Sequence, residues 1–320
     1  MKITNWIRKK ITEEVKINVL SLFDGISCGA VALERAGFEI NNYYAYEIDK
    51  YAMEISKKNY PKIKHFGDVT KENFTKYKGK IDLLIGGTPC QNLSSAGNKK
   101  GLKGKQSKLF FDYVRALNEA KPKWFLLENN ATMTKKNQEI ITGILGVEPV
   151  YINSNLVSAQ DRKRLYWTNI PGIKQPKDKK IYLKHILQPS EDKKEFECID
   201  RMKAKKPGTL AYKKAWQQVR TIEQKSKALT TQQVIANSGA TNVKYSENEY
   251  YVLTPIECER LQTLPDNYTE GISKTQRYKV IGNGWTIDVI AHILRFLYKA
   301  ISENIEPLEL KAEIDINNYL

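Results

Sequence analysis

Between Asn18 and Ile170 the chain alternates short apolar runs with stretches of helical spacing, and this rhythm constrains the fold more than any other feature. NVLSLF, YYAYEI, IDLLIGG, KWFLLEN and VYINSNLV read as strands bounded by Gly, Asp, Asn or Pro. Between them, CGAVALERAG, DKYAMEISKKNY, SKLFFDYVRALNEA and KKNQEIITGILG repeat apolar residues at helical spacing, and the first and last end on glycine. Parallel strands need crossover helices. The alternation therefore predicts an α/β fold, a doubly wound, mostly parallel sheet with helices on both faces. In such sheets ligands bind beyond the carboxyl ends of the strands. The residues that follow each apolar run are thus the ones to inspect.

The rhythm breaks after Pro171. Residues 172–250 are lysine-rich and irregular, with scattered aromatics (Tyr182, Phe196, Tyr212, Trp216). TPIECERLQTLPDNY then reads as an amphipathic helix, and VIGNGWTIDVIAHILRFLYKAI as a glycine turn leading into a strong one. The expected division is a first domain over 16–170, a small basic domain over 171–250, a return to the first domain over 251–301 and a peripheral tail over 302–320. The formal net charge is +16, and residues 171–250 hold 17 Lys/Arg against 9 Asp/Glu, half of that excess. A polyanionic partner is one reading of this charge and a solvated lysine surface the other. The four cysteines form no CxxC pair, which argues against a zinc site or a disulfide scaffold. No metal is expected, since His65, His185 and His292 lack ligand spacing. No run of eighteen apolar residues occurs, so a soluble, cytoplasmic protein without a membrane partner is expected.

Three strand ends carry candidate cofactor groups. In NVLSLFDGISCGAVALERAG, Phe23 ends the strand, Asp24 and Gly25 turn the chain, and Gly29 permits close approach at a helix start. The spacing is not G-x-G-x-x-G, which disfavours a hydride-transfer dinucleotide site. Glu47 follows the second strand, where an acid can accept from ribose hydroxyls, with Ile48 beside an adenine ring. Asp68, after a third short strand, can accept from an adenine amino group. Each acid taken alone reads first as a helix N-cap, and it is the two together, in order after the glycine turn, that favour an adenosine-containing cofactor.

Two further ends carry candidate chemistry. In LLIGGTPCQNLS, Gly86 and Gly87 allow close approach, Pro89 stiffens the loop, and Cys90 stands at the strand's exit. A packed apolar thiol is the alternative reading. KWFLLENN ends with Glu128 on the same rim, where a half-buried carboxyl can hold or share a proton. In SAQDRKRLYW, strand spacing would send Arg162 and Arg164 to one face, beside Gln160.

Together these segments resemble the DNA cytosine-C5 methyltransferases, with similarity nearest the phage-type and animal de novo subgroup. FDGISCGAVAL resembles the family's cofactor motif, GGTPCQ its nucleophile loop, ENN its Glu-Asn-Val motif and QDRKR its Gln-x-Arg-x-Arg motif. LTPIECERLQTLPDNY and GNGWTIDVI are similar to its two closing motifs, and all six stand in the family's order over 18–170 and 250–297. Thr88, Asn130 and Gly284 depart from the usual residues, yet none removes a group that the chemistry requires.

The resemblance implies a Rossmann-like S-adenosylmethionine-dependent fold with a small target-recognition domain. It implies methyl transfer to C5 of a flipped-out cytosine in double-stranded DNA, through a Cys90 adduct at C6. Glu128, Arg162 and Arg164 join Cys90 as catalytic residues. Phe23, Asp24, Gly25, Ile26, Ser27, Gly29, Glu47, Ile48, Asp68, Val69, Pro89, Leu109, Asn283 and Trp285 are the implied cofactor contacts, and Gln91, Ser94 and Gln160 the DNA contacts. A monomer in a bacterial or phage-infected cell is expected, with a restriction endonuclease as possible companion. The alternatives are tRNA methylation, whose enzymes usually carry a Cys-Phe-Thr tripeptide absent here, and a catalytically silent DNA-binding relative.

Overall fold

Strand β1 (Lys16–Leu22) shows why the sheet is buried on both sides. Ile17 and Val19 enter one apolar cluster, while Leu20 and Leu22 enter the other. The computed structural model describes residues 15–88, 108–189, 207–210, 213, 216–231, 241–245 and 250–310. After β1 come α1 (Cys28–Ala36), β2 (Glu39–Tyr46), α2 (Lys50–Asn59), β3 (Lys64–Phe66) and β4 (Leu83–Gly87). Then follow α3 (Lys108–Ala120), β5 (Trp124–Asn130), α4 (Lys135–Leu145), β6 (Val150–Asn153), β7 (Gln160–Asp161) and β8 (Lys163–Thr168).

Seven strands form one sheet in the order β3-β2-β1-β4-β5-β8-β6. The pairings from β3 to β5 are parallel, and β8 runs antiparallel to both β5 and β6. The chain builds outward from β1 to β3 and then crosses to β4. The carboxyl ends of β1 and β4 thus flank the switch point where such sheets open a crevice. Local signals set the helix limits. Asp49 caps α2 by accepting from the N–H groups of Tyr51 and Ala52, and α1 stops at Gly37, whose φ is 100°.

The lysine-rich stretch is less irregular than its sequence suggests. β9 (Val219–Thr221), β11 (Asn242–Lys244) and β12 (Tyr250–Val252) make a three-stranded sheet, and β10 (Ser226–Lys227) pairs with β7. These strands are two or three residues long, too short for a period-two pattern to register. The C-terminal part supplies α5 (Pro255–Leu261), α6 (Lys274–Asn283) and α7 (Ile287–Ser302). Leu183, Leu229, Val243 and Tyr251 share an apolar cluster with Cys258, Leu261, Tyr278 and Ile281. α5 and α6 therefore pack with the basic stretch, while α7 packs on α1. Among the described residues no helix is long and apolar enough to cross a membrane.

Candidate active site

A cavity of about 380 Å³ opens at the switch point. Phe23 and Gly25 reach it from the turn after β1, Glu47 and Ile48 from the end of β2, and Asp68 and Val69 from beyond β3. Leu109 on α3 and Asn283 at the end of α6 add to its wall. The Glu47 carboxylate is aimed by backbone alone: Gly25 N–H donates to Oε2 at 2.8 Å, while Ile48 and Asp49 N–H donate to Oε1 at 2.7 and 2.8 Å. Burial raises its pKa, against the pull of those three donors. Asp68 accepts from Thr70 N–H and hydroxyl at 2.9 and 2.8 Å, both on Oδ1, and these bonds lower its pKa. It caps a short 3-10 turn and lines the cavity as well. Ile48 is 75% exposed, an apolar face left open on the wall.

The remaining residues of the first turn differ from expectation. The buried Asp24 carboxyl accepts from Ser21, Ser27 and Tyr43 hydroxyls, each at 2.6 Å, and burial raises its pKa. Ile26 and Ser27 are buried, and the Ser27 hydroxyl also meets that of Ser56. A Cβ on Gly29 would stand 2.3 Å from Ile85 Cδ1 and 2.8 Å from the Tyr43 hydroxyl. Gly29 is therefore required by the packing of α1 on the sheet. The side chains of Asp24, Ile26 and Ser27 likewise brace α1, and only Phe23 and Gly25 of this turn face the cavity. The physical reason is that a tight βα turn must satisfy its own buried polar groups before it can serve a ligand.

Glu128 stands near the end of β5, where Gly87 of β4 is its register partner. Arg164 Nε meets its Oε1 at 2.7 Å, and the Trp285 indole Nε1 donates to its Oε2 at 3.0 Å. The carboxyl expected among apolar neighbours is thus held by one N–H on each oxygen. Glu128, Arg162 and Arg164 also line the cavity, so the carboxyl and the Glu47 end share one space. Asn129 donates to the Thr88 hydroxyl at 2.9 Å, which pins the end of β4 beside Glu128. Pro89, Cys90, Gln91 and Ser94 lie outside the described residues, as does Cys198.

Both arginines line the cavity, but they bond to different groups. β7 pairs with β10 while β8 pairs with β5 and β6, so the chain changes sheet at Arg162 and the strand alternation ends there. Arg162 turns inward and donates to the carbonyls of Leu229, Gly282 and Gly284 at 3.0 to 3.2 Å. Gln160, expected at the DNA, is fully buried. Its amide donates to Leu261 O and Gln262 Oε1 and accepts from Leu229 N–H. Gln160 thus joins the sheet to the basic stretch and the end of α5, and Arg162 joins it to the basic stretch and the α6–α7 turn. Sequence reasoning placed Trp285 at the cofactor and missed its bond to Glu128. An indole N–H that needs an acceptor, placed beside a glycine turn, was the available signal.

The C-5 cytosine-specific DNA methylase family model matches residues 17–203 and 153–299. The type II methyltransferase M.FnuDI of Fusobacterium nucleatum is 30% identical over 93% of this chain and 98% of its own length. M.HhaI of Haemophilus parahaemolyticus, also a type II methyltransferase, is 28% identical over 87% of this chain and 93% of its own. The crystal structure of the S. pombe Dnmt2 methyltransferase superposes with a TM-score of 0.69 at 16% identity, over 89% of this chain and 99% of that one.

Proposed function

The chain belongs to the C-5 cytosine-specific DNA methylases, and from this premise we propose that it methylates C5 of a flipped-out cytosine at one specific sequence of duplex DNA through a Cys90 adduct. The observation that carries the reading is the Glu128 carboxyl, held by Arg164 and Trp285 at the edge of the cavity that Glu47 and Asp68 also line. S-adenosylmethionine suits those residues. The cavity has the volume of a small-ligand site, Glu47 and Asp68 keep acceptor capacity toward it, and Ile48 offers an open apolar face. Bound there, the cofactor supplies the methyl group.

The chain's own groups do the rest. Glu128 donates or shares a proton at cytosine N3, which makes C6 electrophilic. The Cys90 thiolate adds to C6 and leaves C5 carbanion-like and ready to take the methyl group. Loss of the C5 proton and elimination of the thiolate then restore the ring and the enzyme. Arg164 holds Glu128 throughout. Thiol and methyl donor must reach opposite faces of one ring, so the base leaves the stack. Bases are read by residues 171–250, whose positive charge suits the phosphate backbone. The protein works as a monomer on DNA. Bisulfite sequencing of DNA from cells expressing the chain is the test. Methylated cytosine confined to one sequence context is expected, and its absence from DNA of cells that make the folded protein would overturn the reading.

A further inference from the structure

Trp285 occupies a position that cofactor binding does not explain. Val280, Gly282 and Asn283 of the same segment line the cavity, whereas the Trp285 indole reaches past them to Glu128. The residues on either side of it are held in place. The Gly284 carbonyl accepts from Arg162 Nη2 and from Gln262 Nε2, each at 3.0 Å. Thr286 donates to Gln262 Oε1 at 2.9 Å. The opposite wall is adapted to the indole as well. A Cβ on Gly87 would lie 2.8 Å from Trp285 Nε1 and 2.9 Å from Glu128 Oε2, so only glycine lets the two groups meet there. The second glycine of the GGTPCQ segment thus admits an indole–carboxylate pair, not only a close-approaching base.

We infer that Trp285 is a positioning residue for the reaction, its indole N–H fixing the Glu128 carboxyl plane together with Arg164. The inference rests on the function proposed above. An ion pair through Arg164 alone would leave the carboxyl free to rotate about its last bond; a second donor on the other oxygen removes that freedom. Such an alignment matters in the reacting complex, because proton sharing with N3 depends on hydrogen-bond geometry.

The test uses the full chain with two readouts. Trp285→Phe keeps the ring and loses the donor. We expect kcat on duplex DNA to fall roughly 10-fold, the effect of losing one hydrogen bond to a charged group. The Kd for S-adenosylhomocysteine should stay within about 2-fold, which also reports that the variant is folded. An unchanged kcat, or weakened S-adenosylhomocysteine binding with kcat kept at saturation, would overturn the inference. The second readout is the indole N–H resonance of Trp285, one of five tryptophans, identified by its loss in Trp285→Phe. It should move in Glu128→Gln while the other indole signals stay in place; a stationary signal also overturns the inference. This second arm needs no substrate, so it judges the contact even if the chain were to methylate no DNA cytosine.

Discussion

The two halves of the cavity are built in opposite ways. On the cofactor side, polar groups are aimed by nearby backbone: Glu47 by partners 1, 2 and 22 residues away, and Asp68 by one 2 residues away. On the reaction side, groups are aimed across the chain. Trp285 and Glu128 are 157 residues apart, Arg162 and Gly284 122, and Gln160 and Leu261 101. The acids of the first half need only β1 to β3 and the turns that follow them. The second exists only when the C-terminal part has docked. Substitutions should therefore separate cofactor binding from turnover, and turnover should be the more sensitive to distant damage.

The largest separation is expected at Cys90. Cys90→Ser should reduce methylation below detection while S-adenosylhomocysteine binds normally, because serine is a far weaker nucleophile at neutral pH. DNA carrying 5-fluorocytosine, which cannot lose its C5 proton, should form a denaturation-resistant adduct with wild type and none with the variant. Glu128→Gln comes next, with a drop of about 100-fold or more in kcat and little change in cofactor affinity. Equal rates would reduce Glu128 to a strand-end residue.

Arg162→Met tests the long-range construction itself. It removes the Arg162 donors from the Leu229, Gly282 and Gly284 carbonyls, of which Gly284 keeps Gln262, and urea unfolding should show a loss of about 3 kcal/mol. If stability holds but turnover falls, Arg162 acts on the reaction directly and the contrast between the halves weakens. The smallest effect belongs to the local half. Glu47→Gln should raise the S-adenosylhomocysteine Kd about 10-fold, as one of several charged hydrogen bonds is lost, with kcat at saturation nearly kept. Calorimetry can also follow the pH dependence. Burial raises the Glu47 pKa and the ionised form is the acceptor, so affinity should weaken as pH falls through that raised value. The weakening should begin at a higher pH than for an ordinary glutamate and be absent in Glu47→Gln.

The contrast also explains what could be read without coordinates. Strand runs at 18–23 and 81–87, the helices after them, and the acids at the strand ends are patterns of near neighbours, and periodicity reports such patterns. The sheet, its switch point and the cavity side of Phe23, Gly25, Glu47 and Asp68 followed from them. Asp24, Ser27 and Gly29 serve the packing of the turn, and a motif names a turn without saying which of its side chains face inward. The inward bonds of Arg162 and Gln160 were not legible because alternation predicts a face only while a strand stays in one sheet, and here it changes sheets between them and Arg164.

Alone, then, the sequence determined the order of elements from β1 to β6, the family, and which residue types stand at each strand end, since each depends on local spacing. Tertiary structure decided which of those residues meet. The bond from Trp285 to Glu128 depends on a cleared Cβ position at Gly87 and on a turn held by Arg162 and Gln262. No spacing rule reaches across 157 residues, because the distance between two such groups is set by packing and not by the chain that joins them.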